Sequence, residues 1–361
     1  MVQTDTLIIG QGLCGTWLSY WLHKAGQEFI IIDEDHPMSS SRIASGVVNP
    51  VTGRALAETW MAQFLLEFCL DTYSQIGQDL GIQCIKAVDI VHSFPTAQMR
   101  DAFQKRLPEL GAYLKEPANT SEWTTYFDMP FGLGIIHPAL LIDLNQLLKK
   151  WQERMLTKGV LFNENFDIGQ LQLGTGTVKY KDIKAKRIIF CDGVNSMNYP
   201  YFRRLPFAPN KGEALLLKIE GLPPDQIYKK GLSLVPFPNA GQRSDTQYFW
   251  AGSTYDNEYT DALPSEAFRK RTIQQVSNWL KLPFTVEDHW AAIRPANIER
   301  RPFVGMHPYQ AQVGILNGMG TKGCSLAPYM AKQLADHLES GSAIHPEAGL
   351  GRFSGILSHP V

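Results

Sequence analysis

The segment Thr6-Leu7-Ile8-Ile9-Gly10-Gln11-Gly12-Leu13-Cys14-Gly15 constrains this chain more than any other. An apolar run leads into three glycines spaced G-x-G-x-x-G, and Trp17, Leu18, Tyr20, Trp21 and Leu22 follow at helical spacing. A second apolar run, Phe29-Ile30-Ile31-Ile32, ends in Asp33 and Glu34, which puts an acid 23 residues after Gly10. Strand, glycine turn, helix, strand and acid is the order of a dinucleotide-binding βαβ unit. In such a unit Gly10 permits the tight turn, Gly12 lets the backbone approach a pyrophosphate, and Gly15 allows the helix to close on the strand. The helix N-terminus, at Leu13 and Cys14, presents free N–H groups and the positive end of its dipole to the phosphates. Asp33 or Glu34 would accept from the ribose hydroxyls.

Composition narrows the class. With 361 residues and 44% hydrophobic content the chain can bury a large core, enough for two domains of about 150 residues. Lys and Arg total 34 against 35 Asp and Glu, so the basic footprint of a nucleic-acid partner is missing and none is expected. The longest apolar runs fall far below the roughly 18 residues of a bilayer-spanning helix, so no membrane segment is expected. The N-terminus runs from Met1 into the first strand without a leader pattern, which predicts a cytoplasmic protein. Cys14, Cys69, Cys84, Cys191 and Cys324 are scattered and form no C-x-x-C pair, so they read as reduced thiols, mostly core. No His, Cys or carboxylate cluster has metal spacing, and no metal is expected.

Along the chain, Ser39-Ser40-Ser41-Arg42-Ile43-Ala44-Ser45-Gly46-Val47-Val48-Asn49 is small and hydroxyl-rich, suited to phosphates and flat polar rings. Arg42, Ala44, Ser45, Gly46 and Asn49 are its candidate cofactor contacts. Periodicity predicts helix over 55–81, strand over 84–93 and helix over 98–110. A strand over 132–138 is expected to end at Pro138, which would open a helix over 139–156. Strands follow at 159–162 and 187–191, the latter ending in Asp192-Gly193, at the strand end where doubly wound sheets bind ligands. Phe166 is a further candidate contact. Residues 211–255 alternate as antiparallel strands do, and 264–280 is helical again.

Near the C-terminus, Ile293-Arg294-Pro295 and Arg301-Pro302-Phe303-Val304-Gly305 precede a strand at 313–316. Then come Asn317-Gly318-Met319-Gly320-Thr321-Lys322-Gly323 and a helix over 327–339. A glycine loop opening a helix is suited to stabilising developing negative charge. Reduced flavin acquires such a charge and nicotinamide does not. Together these blocks resemble the FAD-dependent D-amino acid oxidase superfamily, which includes glycine oxidase and sarcosine oxidase. The resemblance spans nearly the whole chain, through Gly10-x-Gly12-x-x-Gly15, Asp33, Ala44-Ser45-Gly46, Gly159-Val160, Asp192-Gly193, the two arginine-proline blocks and Gly318-x-Gly320-x-x-Gly323. It departs at Met319, where many members carry histidine, and at Asp192, where a small residue is common.

The resemblance implies an α/β fold: a Rossmann-like FAD-binding domain of the glutathione-reductase type, interleaved with an α+β substrate domain on an antiparallel sheet. The expected boundaries are 1–85, 137–205 and 292–361 for the first, 86–136 and 206–291 for the second. It also implies non-covalent FAD, since no cysteine lies between Cys191 and Cys324 to carry the flavin. Gly318, Met319, Gly320, Thr321, Lys322 and Gly323 join the cofactor candidates. The implied chemistry is hydride removal from a carbon bearing an amine, with oxygen as acceptor and a small amine or amino acid bearing a carboxylate as substrate. Arg294 stands where the family places its carboxylate-binding arginine, Lys322 matches the lysine of the sarcosine oxidases, and Arg54 stands near an assisting arginine. Tyr248, Trp250 and Tyr255, on expected strands, are candidate pocket walls. Three alternatives remain: the FAD half of a tRNA wobble-uridine modification oxidase, a flavoprotein that oxidises no small amine, and an NAD-dependent dehydrogenase sharing only the first fingerprint.

Overall fold

The computed structural model describes residues 1–237 and 247–358. The chain divides into two units, each assembled from separated stretches: Met1–Arg42, Asn145–Asn210 and the chain from Ile293 on form the first, Ile43–Leu144 and Lys211–Ala292 the second.

The first unit is built on an eight-stranded sheet. Strand β1 (Val2–Ile9) lies between β2 (Phe29–Asp33) and the strand Ile183–Phe190, parallel to both, with Ile8 opposite Ile31 on one side and Ile189 on the other. Leu161–Asn163 continues the parallel array beyond β2, and Gln310–Asn317 continues it beside Ile183–Phe190. Strands buried on both faces read as unbroken apolar runs, which is why residues 29–32 and 188–190 carry no polar alternation. Leu7, Ile9, Ile30, Ile188, Phe190 and Ile315 fill one face together with Phe202 and Phe353. Helix α1 (Leu13–Lys24) packs against the helix Gly323–Ser340, and Trp21 Nε1 donates to the Pro328 carbonyl at 3.0 Å. Because the central strands are parallel, Gly10, Asp33, Asp192 and Gly318 all lie at the carboxyl ends of their strands, at one edge of the sheet.

The second unit carries a nine-stranded sheet. Its order is Thr285–Arg294, Asn210–Lys218, Tyr248–Gly252, Leu232–Pro236, Ile227–Lys230, Ile85–Ser93, Leu133–Ile142 and Val47–Val48, with Leu114–Lys115 also on Leu133–Ile142. From Asn210–Lys218 to Ile227–Lys230 the pairing is antiparallel, Ile227–Lys230 runs parallel to Ile85–Ser93, and the strands beside Leu133–Ile142 are antiparallel to it. Leu215, Leu217, Leu234 and Phe249 bury one face against Phe268 of the helix Glu266–Ser277, whose N-cap Ser265 accepts from the Phe268 amide.

Three expectations are corrected. The helix over 139–156 begins only at Leu144, because Leu133–Ile142 runs on as a single strand through His137-Pro138. Those two residues face the single residue Asp89 in a bulge between Val88 and Ile90, where a proline forfeits no ladder hydrogen bond. His137 Nδ1 closes that bulge on the Asp89 carboxylate. The unit boundaries also differ from 85 and 137: residues 43–85 and 137–144 belong to the second unit, since Val47 and Val48 pair with Leu141 and Leu140. Tyr255 lies outside any strand and is exposed, against the expectation that it sits on one. Among the described residues no helix is long and apolar enough to cross a membrane, and no cluster could hold a metal ion.

Candidate active site

The turn after β1 is closed by steric necessity. Gly10 has φ of +94°, and a Cβ there would sit 2.8 Å from the Cys191 carbonyl oxygen. A Cβ on Gly15 would lie 1.8 Å from the Gly10 carbonyl oxygen, so α1 approaches the strand only because position 15 has no side chain. Gly12 is the N-cap of α1, with no side-chain cap of its own and no acid in the first turn. Ser41 Oγ accepts from the Leu13 amide at 3.1 Å, tying the hydroxyl-rich loop to the helix start. Burial pushes the Cys14 thiol up to about 12, which keeps it uncharged beside this positive helix end.

The two acids after β2 take different environments. Asp33 Oδ1 accepts from the Gln11 amide at 2.6 Å and Oδ2 from the Asp35 amide at 2.9 Å, so Asp33 holds the glycine turn in place. Glu34 is exposed. Arg42 pairs with Asp35, which Gln152 Nε2 also contacts at 2.8 Å. Phe166 stacks in the core on Tyr180, Phe190 and Tyr199.

Asp192 is the centre of a polar network. Ser196 Oγ and Tyr199 Oη donate to its two oxygens, the second at 2.8 Å. Asn317 Nδ2 donates to Ser196 Oγ at 2.9 Å and to the Gly193 carbonyl at 2.7 Å, while its Oδ1 accepts the Gly318 amide. One asparagine thus joins the loops that end two neighbouring strands. Burial pushes the Asp192 carboxyl up to about 6, against the opposing pull of its two hydroxyl donors. The folded chain then holds this proton between about pH 4 and 6, where the unfolded chain has released it, so the contribution to stability falls as pH rises through that window. Asp192→Asn is expected to remove this slope, worth at most roughly 3 kcal/mol. Urea midpoints of both proteins from pH 4 to 7 check it, and parallel curves would contradict it.

The C-terminal loop is braced by a second asparagine. Asn297 is buried, and its Nδ2 donates to the Arg301 and Gly318 carbonyls at 2.7 and 2.8 Å. The Gly320 amide donates to the Pro295 carbonyl at 3.3 Å, which brings the Arg294-Pro295 block and the glycine loop together. Gly318 has φ of +76° and faces the Phe303 ring, where a Cβ would have 2.9 Å. Met319 is buried and Thr321 exposed. Lys322 is half-buried as the N-cap of the helix Gly323–Ser340; burial lowers its ammonium pKa, and Arg301 and Arg300 lower it further. Arg294, partly buried, donates from Nη1 to Asn210 Oδ1 at 2.8 Å.

In the second unit, Gly46 has φ of +78° and a Cβ there would lie 2.0 Å from the Ile142 carbonyl oxygen. Ala44 and Ser45 are partly buried. Asn49 Oδ1 accepts from the Val51 amide, stabilising its own turn. Arg54 is exposed in the turn between Val51–Thr52 and Ala57–Glu58. Tyr248 is partly buried, and Trp250 is buried with Nε1 on the Ile43 carbonyl at 2.9 Å.

Within the first unit the structure therefore gathers Gly10, Gly12, Gly15, Asp33, Asp192, Gly193 and the 318–323 loop at the carboxyl edge of one sheet. Sequence reasoning missed Ser196, Tyr199, Asn210, Asn297 and Asn317, lone polar residues outside any glycine pattern; only Asn317, closing an apolar strand before a glycine, carries a local signal. Glycines that admit no Cβ, and a helix start whose N-cap is a glycine and whose first turn carries no acid, fit a dinucleotide diphosphate. The helix start at Gly323 fits a cofactor ring that gains negative charge.

The family model described as FAD dependent oxidoreductase, DAO, matches residues 5–337. Glycine oxidase of Pseudomonas aeruginosa is 22% identical over 96% of this chain and 99% of its own length. Glycine oxidase of Bacillus subtilis is 21% identical, covering 92% of each. Among solved structures, iminodiacetate oxidase from Chelativorans sp. BNC1 superposes with a TM-score of 0.75 at 20% identity over 97% of this chain and 98% of that one. Glycine oxidase from Geobacillus kaustophilus gives 0.74 at 15% identity over the full length of both. A match through the C-terminal loop sets aside the NAD-dependent alternative, which shares the first fingerprint alone. The chain belongs to the DAO family of FAD-dependent oxidoreductases, and FAD is its cofactor.

Proposed function

We propose that this protein oxidises the C–N bond of a small amine or amino acid carrying a carboxylate, with oxygen taking the electrons. The observation that carries the reading is Arg294, partly buried at the end of Thr285–Arg294 and fixed beside the glycine loop through the Pro295 carbonyl. A planar guanidinium fork suits both oxygens of a carboxylate. Lys322, half-buried and with no acid paired to it among the described residues, adds positive charge in the same loop. Bound FAD supplies the two-electron acceptor for a hydride from the carbon that bears nitrogen. The residues act by position: Arg294 holds the carboxylate, so the adjacent C–H is presented in one orientation. Loss of the hydride and the amine proton leaves an imine, which water converts to a carbonyl compound and free amine. The α1 N-terminus would hold the diphosphate, Glu34 would accept from the ribose, and the Gly323 helix start would stabilise the negative charge that the reduced cofactor gains.

The test is an anaerobic titration of the purified yellow protein with glycine, sarcosine, proline and a panel of D-amino acids, following flavin absorbance. Bleaching by at least one is expected, with recovery and peroxide on admitting air. Acid precipitation is expected to leave the colour in the supernatant, because burial pushes the Cys324 thiol up to about 12 and keeps it un-nucleophilic. If no compound bleaches the flavin, the small-amine reading fails, in favour of a larger substrate or a protein electron partner.

A further inference from the structure

Asp192 sits against the turn that begins the dinucleotide cradle. A Cβ on Gly10 would lie 2.8 Å from the Asp192 Cα, so the end of Ile183–Phe190 and the glycine turn after β1 meet through backbone at this residue. Among the described residues the Asp192 carboxylate is met by two hydroxyls, Ser196 Oγ on Oδ1 and Tyr199 Oη on Oδ2, and by no ion pair. The groups packed around it are neutral or acidic. Cys191 precedes it and Cys14 lies near on α1, both thiols held protonated by burial, and burial keeps Tyr199 neutral as well, with Tyr180 beyond it. Glu34, just past β2 on the same sheet edge, repels it. Asn317, from the neighbouring strand, reaches Ser196 and brings no charge.

A carboxyl so placed carries its charge at a cost, and Asp192 is still partly accessible at the sheet edge. A dinucleotide seated against Gly10 would cover that surface and bring the negative charge of its diphosphate. Both changes disfavour the ionised acid. We propose that this chain binds FAD together with a proton on the Asp192 carboxyl, so that the cofactor is held more tightly in weak acid than in weak alkali. This linkage concerns the cofactor and holds whatever the substrate. Its direction is set by which state binds more protons. Free of cofactor, Asp192 releases its proton near pH 6, and with a diphosphate beside it release moves to higher pH. Affinity is therefore highest well below that point, falls as pH rises through the interval between the two, and levels off above it. A repulsion of about 1.4 kcal/mol makes the whole fall tenfold.

The experiment dilutes the yellow holoenzyme at a series of pH values from 5 to 8 and reads the Kd from the fluorescence of released flavin. Wild type is expected to bind FAD about tenfold more weakly at pH 8 than at pH 5, and Asp192→Asn, which keeps the shape but cannot ionise, to show no change over that range. Tyr199→Phe removes a donor that favours the ionised form, so the midpoint of the transition is expected to move to higher pH. A histidine titrating elsewhere would leave the transition in Asp192→Asn as it is in wild type. That outcome, or a wild-type affinity that is independent of pH or strengthens as pH rises, overturns the inference. If Asp192→Asn retains no FAD, the Tyr199→Phe midpoint decides: an upward move supports the linkage, and an unmoved or lower midpoint overturns it.

Discussion

Gly15→Ala is expected to yield a colourless protein. The added Cβ would lie 1.8 Å from the Gly10 carbonyl oxygen and 2.9 Å from its carbon, and both are backbone atoms of the turn itself. No side chain can rotate away, so α1 must lift off the strand or the turn must open. Either movement displaces the Leu13 and Cys14 amides from the position at which a diphosphate meets the helix start. Inserting one methyl into a close-packed core costs about 1–3 kcal/mol where side chains can yield. Here only backbone can yield, so the upper end is expected. A loss of about 3 kcal/mol lowers the melting temperature by roughly 6–12 °C for a domain of this size. The ratio of flavin to protein absorbance and a thermal melt read the two effects separately. Gly355→Ala is the control, since a Cβ there meets nothing within 4 Å. Stoichiometric FAD in Gly15→Ala would show that α1 does not form the cradle.

Arg294→Gln has the second large effect, confined to the substrate. The variant keeps a polar side chain of similar reach but loses the charge and the fork, and it takes the donor away from Asn210 Oδ1. Truncating one partner of a desolvated charge pair costs about 2–5 kcal/mol, so kcat/KM for a carboxylate-bearing amine is expected to fall by roughly 30- to 5,000-fold. Arg294→Lys, which retains charge without the planar fork, falls between. FAD content is expected to stay at the wild-type level, since Arg294 lies outside the glycine turns and helix starts that would hold the cofactor. Steady-state kinetics on the substrate found by flavin bleaching provide the check. A change of less than threefold would place the carboxylate elsewhere.

Much of this protein was legible before any coordinate because the relevant instructions are local. The βαβ unit depends on apolar runs, a 3.6-residue period and glycines within about ten positions of one another, and each follows from the stereochemistry of neighbouring residues. The same holds for the 317–323 loop, where an apolar strand, three glycines and a helix follow in order. The expectation at Pro138 failed for the complementary reason. Proline commonly opens a helix, but here the opposing strand offered a bulge at Asp89, and only the partner strand decides that.

The domain boundaries likewise depended on pairing across distance: residues 43–85 join the second unit because Val47 and Val48 find Leu141 and Leu140, almost 100 residues further on. Nor could adjacency say which of Asp33 and Glu34 would be tied to the turn. That Asn317 would bridge to Ser196, 121 residues away, and Asn210 to Arg294, 84 away, has no local signature at all. The sequence by itself determined the strands and helix starts that flank the two glycine turns, and hence a dinucleotide cofactor, because backbone sterics and periodicity are properties of short segments. Only the tertiary structure decided which polar groups meet, because a hydrogen-bond partner is selected by the fold of the whole chain and leaves no trace in the residues beside it.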